Sequence, residues 1–162
     1  MTTYKCQRCG KEETEANIRI VRGKGSLFCK DCFAEYEKEK ASRPKKGSVC
    51  VIDDDWFMKS YCEQFLEDFT ISYESRIPLD EEILGTYDVL IVDGNGIGNG
   101  KYKNGVEFLK AYKKQGNNKG IIHLSGFISH DDEKSLEQKG VECLEKGHDP
   151  DGLVQTVESF FV

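Results

Sequence analysis

Four of the seven cysteines stand as two C-x-x-C pairs, Cys6 with Cys9 and Cys29 with Cys32, and 19 residues separate the pairs. Thiolates are soft anionic ligands, and a C-x-x-C turn brings two sulfurs onto one edge of a tetrahedron, so two such turns close a zinc site. Four thiolates leave the metal no open position, which makes the predicted role structural and not catalytic. A redox dithiol would need only one pair in a thioredoxin-like setting, and iron–sulfur ligands follow other spacings. The remaining cysteines, Cys50, Cys62 and Cys143, fall on apolar faces of predicted elements and read as core.

A second set of reactive groups is spread along the rest of the chain. Asp53, Asp54 and Asp55 follow the apolar run 49–52, Asp93 follows 88–92, Ser125 follows 120–124, and Lys146 lies just beyond 141–144. If those runs are parallel strands of one sheet, the polar groups gather outside its carboxyl edge, where such sheets bind ligands. Clustered carboxylates repel unless a cation sits among them, and hard oxygen donors with open positions suit Mg²⁺. A carboxylate beside Mg²⁺ can attack a phosphoryl group, while a lysine and a hydroxyl stabilise the phosphoryl oxygens.

The elements that must position these groups follow from periodicity. Strands are predicted at 49–52, 69–73, 88–92, 120–124 and 141–144. Between them, 56–66 carries Phe57, Met58, Tyr61, Cys62 and Phe65 at helical spacing, and 79–84 and 106–112 read as further helices. Ser129 through Asp132 forms a capping box for a helix to Gln138, and Asp149-Pro150 opens a last helix presenting Leu153, Val154, Val157, Phe160 and Phe161. Five β-α units predict an α/β fold, a five-stranded parallel doubly wound sheet with helices on both faces.

Ahead of this, 18–21 and 26–28 read as strands around a turn at 22–25 that returns the chain to Cys29, a zinc-ribbon or related treble-clef-like pattern. Residues 33–40 read as a short charged helix, and Pro44 and Gly47 break any helical continuation beyond it. The expected organisation is a zinc-ribbon-like module over 1–36, a charged linker over 37–48 and a larger domain over 49–162. A module of that size buries too little apolar surface to fold alone, and zinc binding supplies on the order of 10–16 kcal/mol in comparable peptides.

The 162 residues, 38% hydrophobic and 32% charged, exclude a disordered or collagen-like chain. The longest strictly aliphatic run is residues 89–92, far short of the roughly 20 residues of a membrane span, so no membrane partner is expected. The opening residues 1–6 have no apolar stretch of the secretory kind, and the expected location is the cytoplasm. Charge divides sharply: residues 1–48 hold 12 Lys/Arg against 7 Asp/Glu, and the remainder holds 11 against 22. A basic front and an acidic back point to units with different partners.

Residues 49–162 resemble the receiver domain of two-component response regulators. The matching motifs are Val-Ile-Asp53-Asp54-Asp at the first strand, Leu-Ile-Val-Asp93 at the third, Leu-Ser125-Gly at the fourth and Leu-Glu-Lys146 at the fifth, in family order. The resemblance implies that Asp93 is the phosphoacceptor, that Asp53 and Asp54 hold Mg²⁺ with Asp93 and the backbone carbonyl of Asn95, that Ser125 is the switch hydroxyl, and that Lys146 contacts the phosphoryl group. It implies a histidine kinase or phosphotransfer protein as donor, a downstream protein as target and the zinc module for output or docking. The chain is then a signalling phosphoacceptor whose only chemistry is its own phosphorylation and dephosphorylation, not an enzyme acting on other substrates.

Three features depart from that family: Gly147 follows Lys146 where proline is usual, Cys143 stands where an aromatic switch residue is expected, and the stretch after Asp93 is long and glycine-rich. They favour an alternative, a pseudo-receiver adaptor that binds proteins without accepting phosphate. A third reading is a nucleic-acid-binding regulator, in which Lys5, Arg8, Arg19, Arg22, Lys24, Arg43, Lys45 and Lys46 meet phosphates. The alternating Gly94, Gly96, Gly98 and Gly100 do not form a dinucleotide fingerprint, and the stretch reads as a flexible surface loop. His123, His130 and His148 read as core or cap residues, and Trp56 as packing.

Overall fold

The computed structural model describes residues 1–21, 25–147 and 150–162, and the chain divides into two units, Met1–Pro44 and Lys45–Val162. The central residues of the expected 22–25 turn, the basic Arg22 and Lys24, His148 and the capping Asp149 lie outside the described residues.

In the first unit, strand β1 (Thr3–Lys5) pairs antiparallel with β2 (Glu12–Thr14), and β3 (Ile18–Val21) pairs antiparallel with β4 (Ser26–Cys29), Ile18 facing Cys29. The β3–β4 hairpin is the one the sequence predicts. Strands β1 and β2 carry no apolar alternation to announce them; the Cys6–Cys9 turn brings them together, with the Cys6 N–H donating to the Lys11 carbonyl at 2.8 Å. Helix α1 (Lys30–Ser42) starts directly after Cys29 and not at residue 33, so Cys32 falls in its first turn. The second cysteine pair therefore opens a helix, a treble-clef-like arrangement in place of a second ribbon knuckle. The helix reaches Ser42, leaving only Arg43–Lys46 outside helix and strand before the next element. The buried centre of this unit consists of Cys6, Cys29 and Cys32 with Phe28 packed against them.

The second unit alternates β5 (Gly47–Ile52), α2 (Phe57–Phe65), β6 (Phe69–Glu74), β7 (Val89–Val92), α3 (Gly105–Ala111), β8 (Gly120–Ser125), α4 (His130–Gln138), β9 (Glu142–Glu145) and α5 (Pro150–Ser159). The five strands form one parallel sheet in the order β6-β5-β7-β8-β9. Continuous apolar runs make β7 and residues 49–52 of β5 fully buried, as central parallel strands must be. Alternation sends Cys50, Ile52, Leu90, Val92 and Ile121 to one face, against Phe108 and Leu109 of α3 and Leu136 of α4. The opposite face packs Val51, Ile91 and Leu124 against Met58 and Cys62 of α2 and Leu153 and Val157 of α5. The predicted cap on α4 is present, the Ser129 hydroxyl accepting from the Asp132 N–H at 3.2 Å.

Three expectations are corrected. The 79–84 segment is a 3-10 helix over Glu81–Thr86, too short to cover its side of the sheet, and the glycine-rich stretch does part of that covering. Ile97 is fully buried and Tyr102 nearly so, the Ile77 N–H donates to the Ile97 carbonyl at 2.9 Å, and the Tyr102 hydroxyl donates to Glu81 at 3.1 Å. Apolar side chains set between the glycines turn an apparent surface loop into a packed strap. Trp56, expected to pack, is 71% exposed because it precedes the first buried position of α2, Met58.

Candidate functional site

Asp53, Asp93 and Lys146 are each held by the strand neighbouring the one they follow. The Asp53 N–H donates to the Glu74 carbonyl at 3.0 Å, the Asp93 N–H to the Ile52 carbonyl at 2.9 Å, and the Lys146 N–H to the Ser125 carbonyl at 2.9 Å. The hydrogen-bond ladder thus runs one residue past the strand ends and fixes these backbones at the carboxyl edge of the sheet, at the switch in strand order.

Carboxylate oxygens of Asp53, Asp54 and Asp93 lie within 4.8 Å of one another. Asp53 and Asp93 are buried and Asp54 is exposed. Lys146 Nζ stands 2.7 Å from Asp53 Oδ2 and 3.4 Å from Asp93 Oδ1. Asp53 Oδ1 accepts from the Asp55 N–H at 2.9 Å, and Asp93 Oδ1 from the Gly94 N–H at 2.8 Å. Burial raises the Asp93 carboxyl above its ordinary range, the charge of Asp53 adds to this, and Lys146 opposes it. Burial lowers the Lys146 ammonium, but its bond to Asp53 and the charges of Asp53 and Asp93 outweigh that and hold it above its usual value.

One ammonium does not balance three carboxylates, so the cluster favours a further cation. Its donors are hard oxygens, the kind that Mg²⁺ takes at about 2.1 Å. Gly96 bends over this cluster with φ +79°, and a Cβ there would lie 2.3 Å from Asp54 Oδ2, so only glycine permits the approach. Asn95, between Gly94 and Gly96, is exposed at the same edge. The Ser125 hydroxyl donates to the Phe127 carbonyl at 2.8 Å, a partner that no spacing in the sequence signals. Trp56, Phe57 and Phe127, all exposed, follow Asp53 and Ser125 closely in the chain, Phe57 as the first residue of α2.

In the first unit the four sulfurs of Cys6, Cys9, Cys29 and Cys32 also lie within 4.8 Å of one another, with Cys9 and Cys29 at 3.9 Å. A tetrahedral zinc with sulfurs at about 2.3 Å has S···S edges of about 3.8 Å, so the donor set fits that ion. Burial works to raise the Cys6 thiol, yet backbone N–H groups of Cys9, Cys29 and Arg8 outweigh it and bring the thiol down to about 6. A thiol stabilised as the anion is a ready metal ligand.

The remaining sequence candidates occupy plainer positions. Cys50 and Cys62 are buried and Cys143 half-buried, and burial pushes Cys50 and Cys62 up to about 12. His130 is the exposed first residue of α4, and His123 is fully buried in β8. Among the described residues no helix is long and apolar enough to cross a membrane.

No protein-family model and no curated protein matches the chain. Solved structures do. A receiver domain of a Francisella response regulator is 23% identical, with 71% of this chain and 96% of that chain covered at a TM-score of 0.57. The signal receiver domain of a DNA-binding response regulator from Colwellia psychrerythraea is 22% identical over 70% of this chain and 96% of that one, TM-score 0.56. The chemotaxis protein CheY4 of Vibrio cholerae is 22% identical over 70% and 98%, TM-score 0.55. The fold is thus an α/β receiver-like fold.

Proposed function

We propose that this protein is a phosphoacceptor in two-component signalling, with Asp93 as the accepting residue and a phosphohistidine of a histidine kinase or phosphotransfer protein as donor. The observation that carries this reading is Lys146 Nζ held between Asp53 and Asp93 at the carboxyl edge of a receiver-like sheet. Buried Asp93 attacks the phosphorus through a carboxylate oxygen; an O–P bond forms, and the N–P bond breaks with its electron pair going to the donor imidazole, which takes up a proton. Asp53, Asp54, Asp93 and the carbonyl of Asn95 would hold Mg²⁺, which when bound would neutralise charge at the phosphoryl oxygens. Lys146 bonds one phosphoryl oxygen, and Ser125 reaches another by giving up its bond to the Phe127 carbonyl.

In this reading residues 1–36 form a structural zinc module, ligated by Cys6, Cys9, Cys29 and Cys32, that docks the protein or carries its output. Residues 37–48 join it to the phosphoaccepting domain over 49–162, and the protein acts in the cytoplasm. A second reading, a protein-binding adaptor without phosphotransfer, draws on the exposed Trp56, Phe57 and Phe127 beside the site. Intact mass after incubation with acetyl phosphate separates the two. A Mg²⁺-dependent phosphoryl adduct absent from Asp93→Asn supports phosphotransfer, and its absence from folded wild type leaves the adaptor.

A further inference from the structure

His123 sits within β8, fully buried, and neither Nδ1 nor Nε2 has a hydrogen-bond partner among the described residues. A buried polar group left unpaired is destabilising, so an apolar side chain of similar size would be the more stable occupant of this position. Burial pushes the imidazole down, opposed by Asp132 and Glu133 and assisted by Lys146, so near neutral pH the ring offers one donor and one acceptor.

Its neighbours show where that capacity is directed. Strand alternation puts His123 on the same face as Ser125, and the register sets it beside Val92 of β7 and Cys143 of β9. A Cβ on Gly94 would lie 2.8 Å from His123 Nε2 and 3.4 Å from the Ser125 Cβ. The ring therefore backs onto Gly94, the residue whose N–H holds Asp93 Oδ1.

We propose that His123 is a positioning residue for Asp93: its Nε2 forms a hydrogen bond with the backbone of the Asp93–Gly94 turn once a phosphoryl group is attached. This inference rests on Asp93 being the phosphoacceptor. A ring unpaired in the unmodified protein and paired in the modified one is a differential interaction, which is what a two-state element needs. Cys143, small and only half-buried, stands beside His123 in register, so His123 carries the ring on this part of the sheet face, which Leu136 of α4 also packs against.

The test uses the full chain with ¹⁵N-labelled histidine, Mg²⁺ and beryllofluoride as phosphoryl analogue. Bound-fluoride ¹⁹F signals report loading, and the His123 ring resonances are assigned by their loss in His123→Gln. Loading is expected to shift Nε2. His123→Leu should bind beryllofluoride about tenfold more weakly, the worth of one hydrogen bond. His123→Gln, whose amide stands near Nε2, should recover affinity, and His123→Asn, whose amide stands near Nδ1, should not. Loading that leaves both ring resonances unmoved overturns the proposal, even if the Leu variant fails to fold, because the wild-type spectrum decides it alone. No bound-fluoride signal in wild type overturns the Asp93 reading itself, and this inference with it.

Discussion

Lys146 Nζ lies 2.7 Å from Asp53 Oδ2, and the Lys146 backbone is pinned by its N–H bond to the Ser125 carbonyl. One residue thus joins the ends of three strands, since the same ammonium reaches Asp93 Oδ1 at 3.4 Å. Lys146→Met leaves two buried carboxylates facing each other. Breaking a fully buried pair costs about 3–5 kcal/mol, and the partial exposure of the lysine reduces the expected loss to about 2 kcal/mol in urea unfolding. Added Mg²⁺ should restore part of it.

Asp93→Asn should act in the opposite direction on stability. The Asp93 carboxyl is held above its ordinary range by burial and by Asp53, against the pull of Lys146, so its ionisation is less favourable in the folded protein than in the unfolded one. Its contribution to stability is complete below the unfolded value of about 3.9 and is lost as pH rises through the folded value. Removing the charge should raise the metal-free Tm by about 2–4 °C at pH 7, a gain that vanishes as the pH falls below about 4. Thermal scans across pH 3–8 check the sign.

The strap between β7 and α3 gives a pair of separable effects. Ile97→Ala empties a fully buried position and should cost about 2–4 kcal/mol in denaturant unfolding. Gly96→Ala drives a Cβ into Asp54 at a positive φ and should weaken Mg²⁺ binding about tenfold, read by titration of Trp56 fluorescence.

Zinc removal should act on the first unit alone. Native mass spectrometry is expected to find one Zn²⁺ per chain in wild type and none in Cys32→Ser. Chelation should collapse amide protection over Met1–Pro44 and leave that of β5, β7 and β8 unchanged, as measured by hydrogen exchange.

Apolar runs and helical spacings made the larger unit legible, because β7 and residues 49–52 of β5 are buried on both faces and contain only apolar side chains. Asp53, Asp54, Asp93, Ser125 and Lys146 could be read from the sequence because each stands at or just past the end of a strand, and the topology alone brings strand ends together. Less was legible where local pattern and tertiary placement part. Gly94 to Gly100 reads as a flexible loop until Ile97 and Tyr102 are seen buried, and β1 and β2 are too short for periodicity to register. The helical start at Lys30 was hidden because the metal-ligand spacing is the same on a knuckle and on a helix turn. His123 gave only its burial; its approach to Gly94 depends on register between β7 and β8, which no window of sequence contains.

The central claim is that Asp93 accepts a phosphoryl group, and the most direct measurement locates the adduct. Full-length protein is treated with acetyl phosphate and Mg²⁺, reduced with borohydride and digested, and the peptide carrying residue 93 is sequenced by mass. An acyl phosphate on Asp93 is predicted to yield homoserine at that position alone, dependent on Mg²⁺. Unchanged aspartate at 93 in a folded protein, or homoserine at Asp53 or Asp54 in its place, would contradict the account.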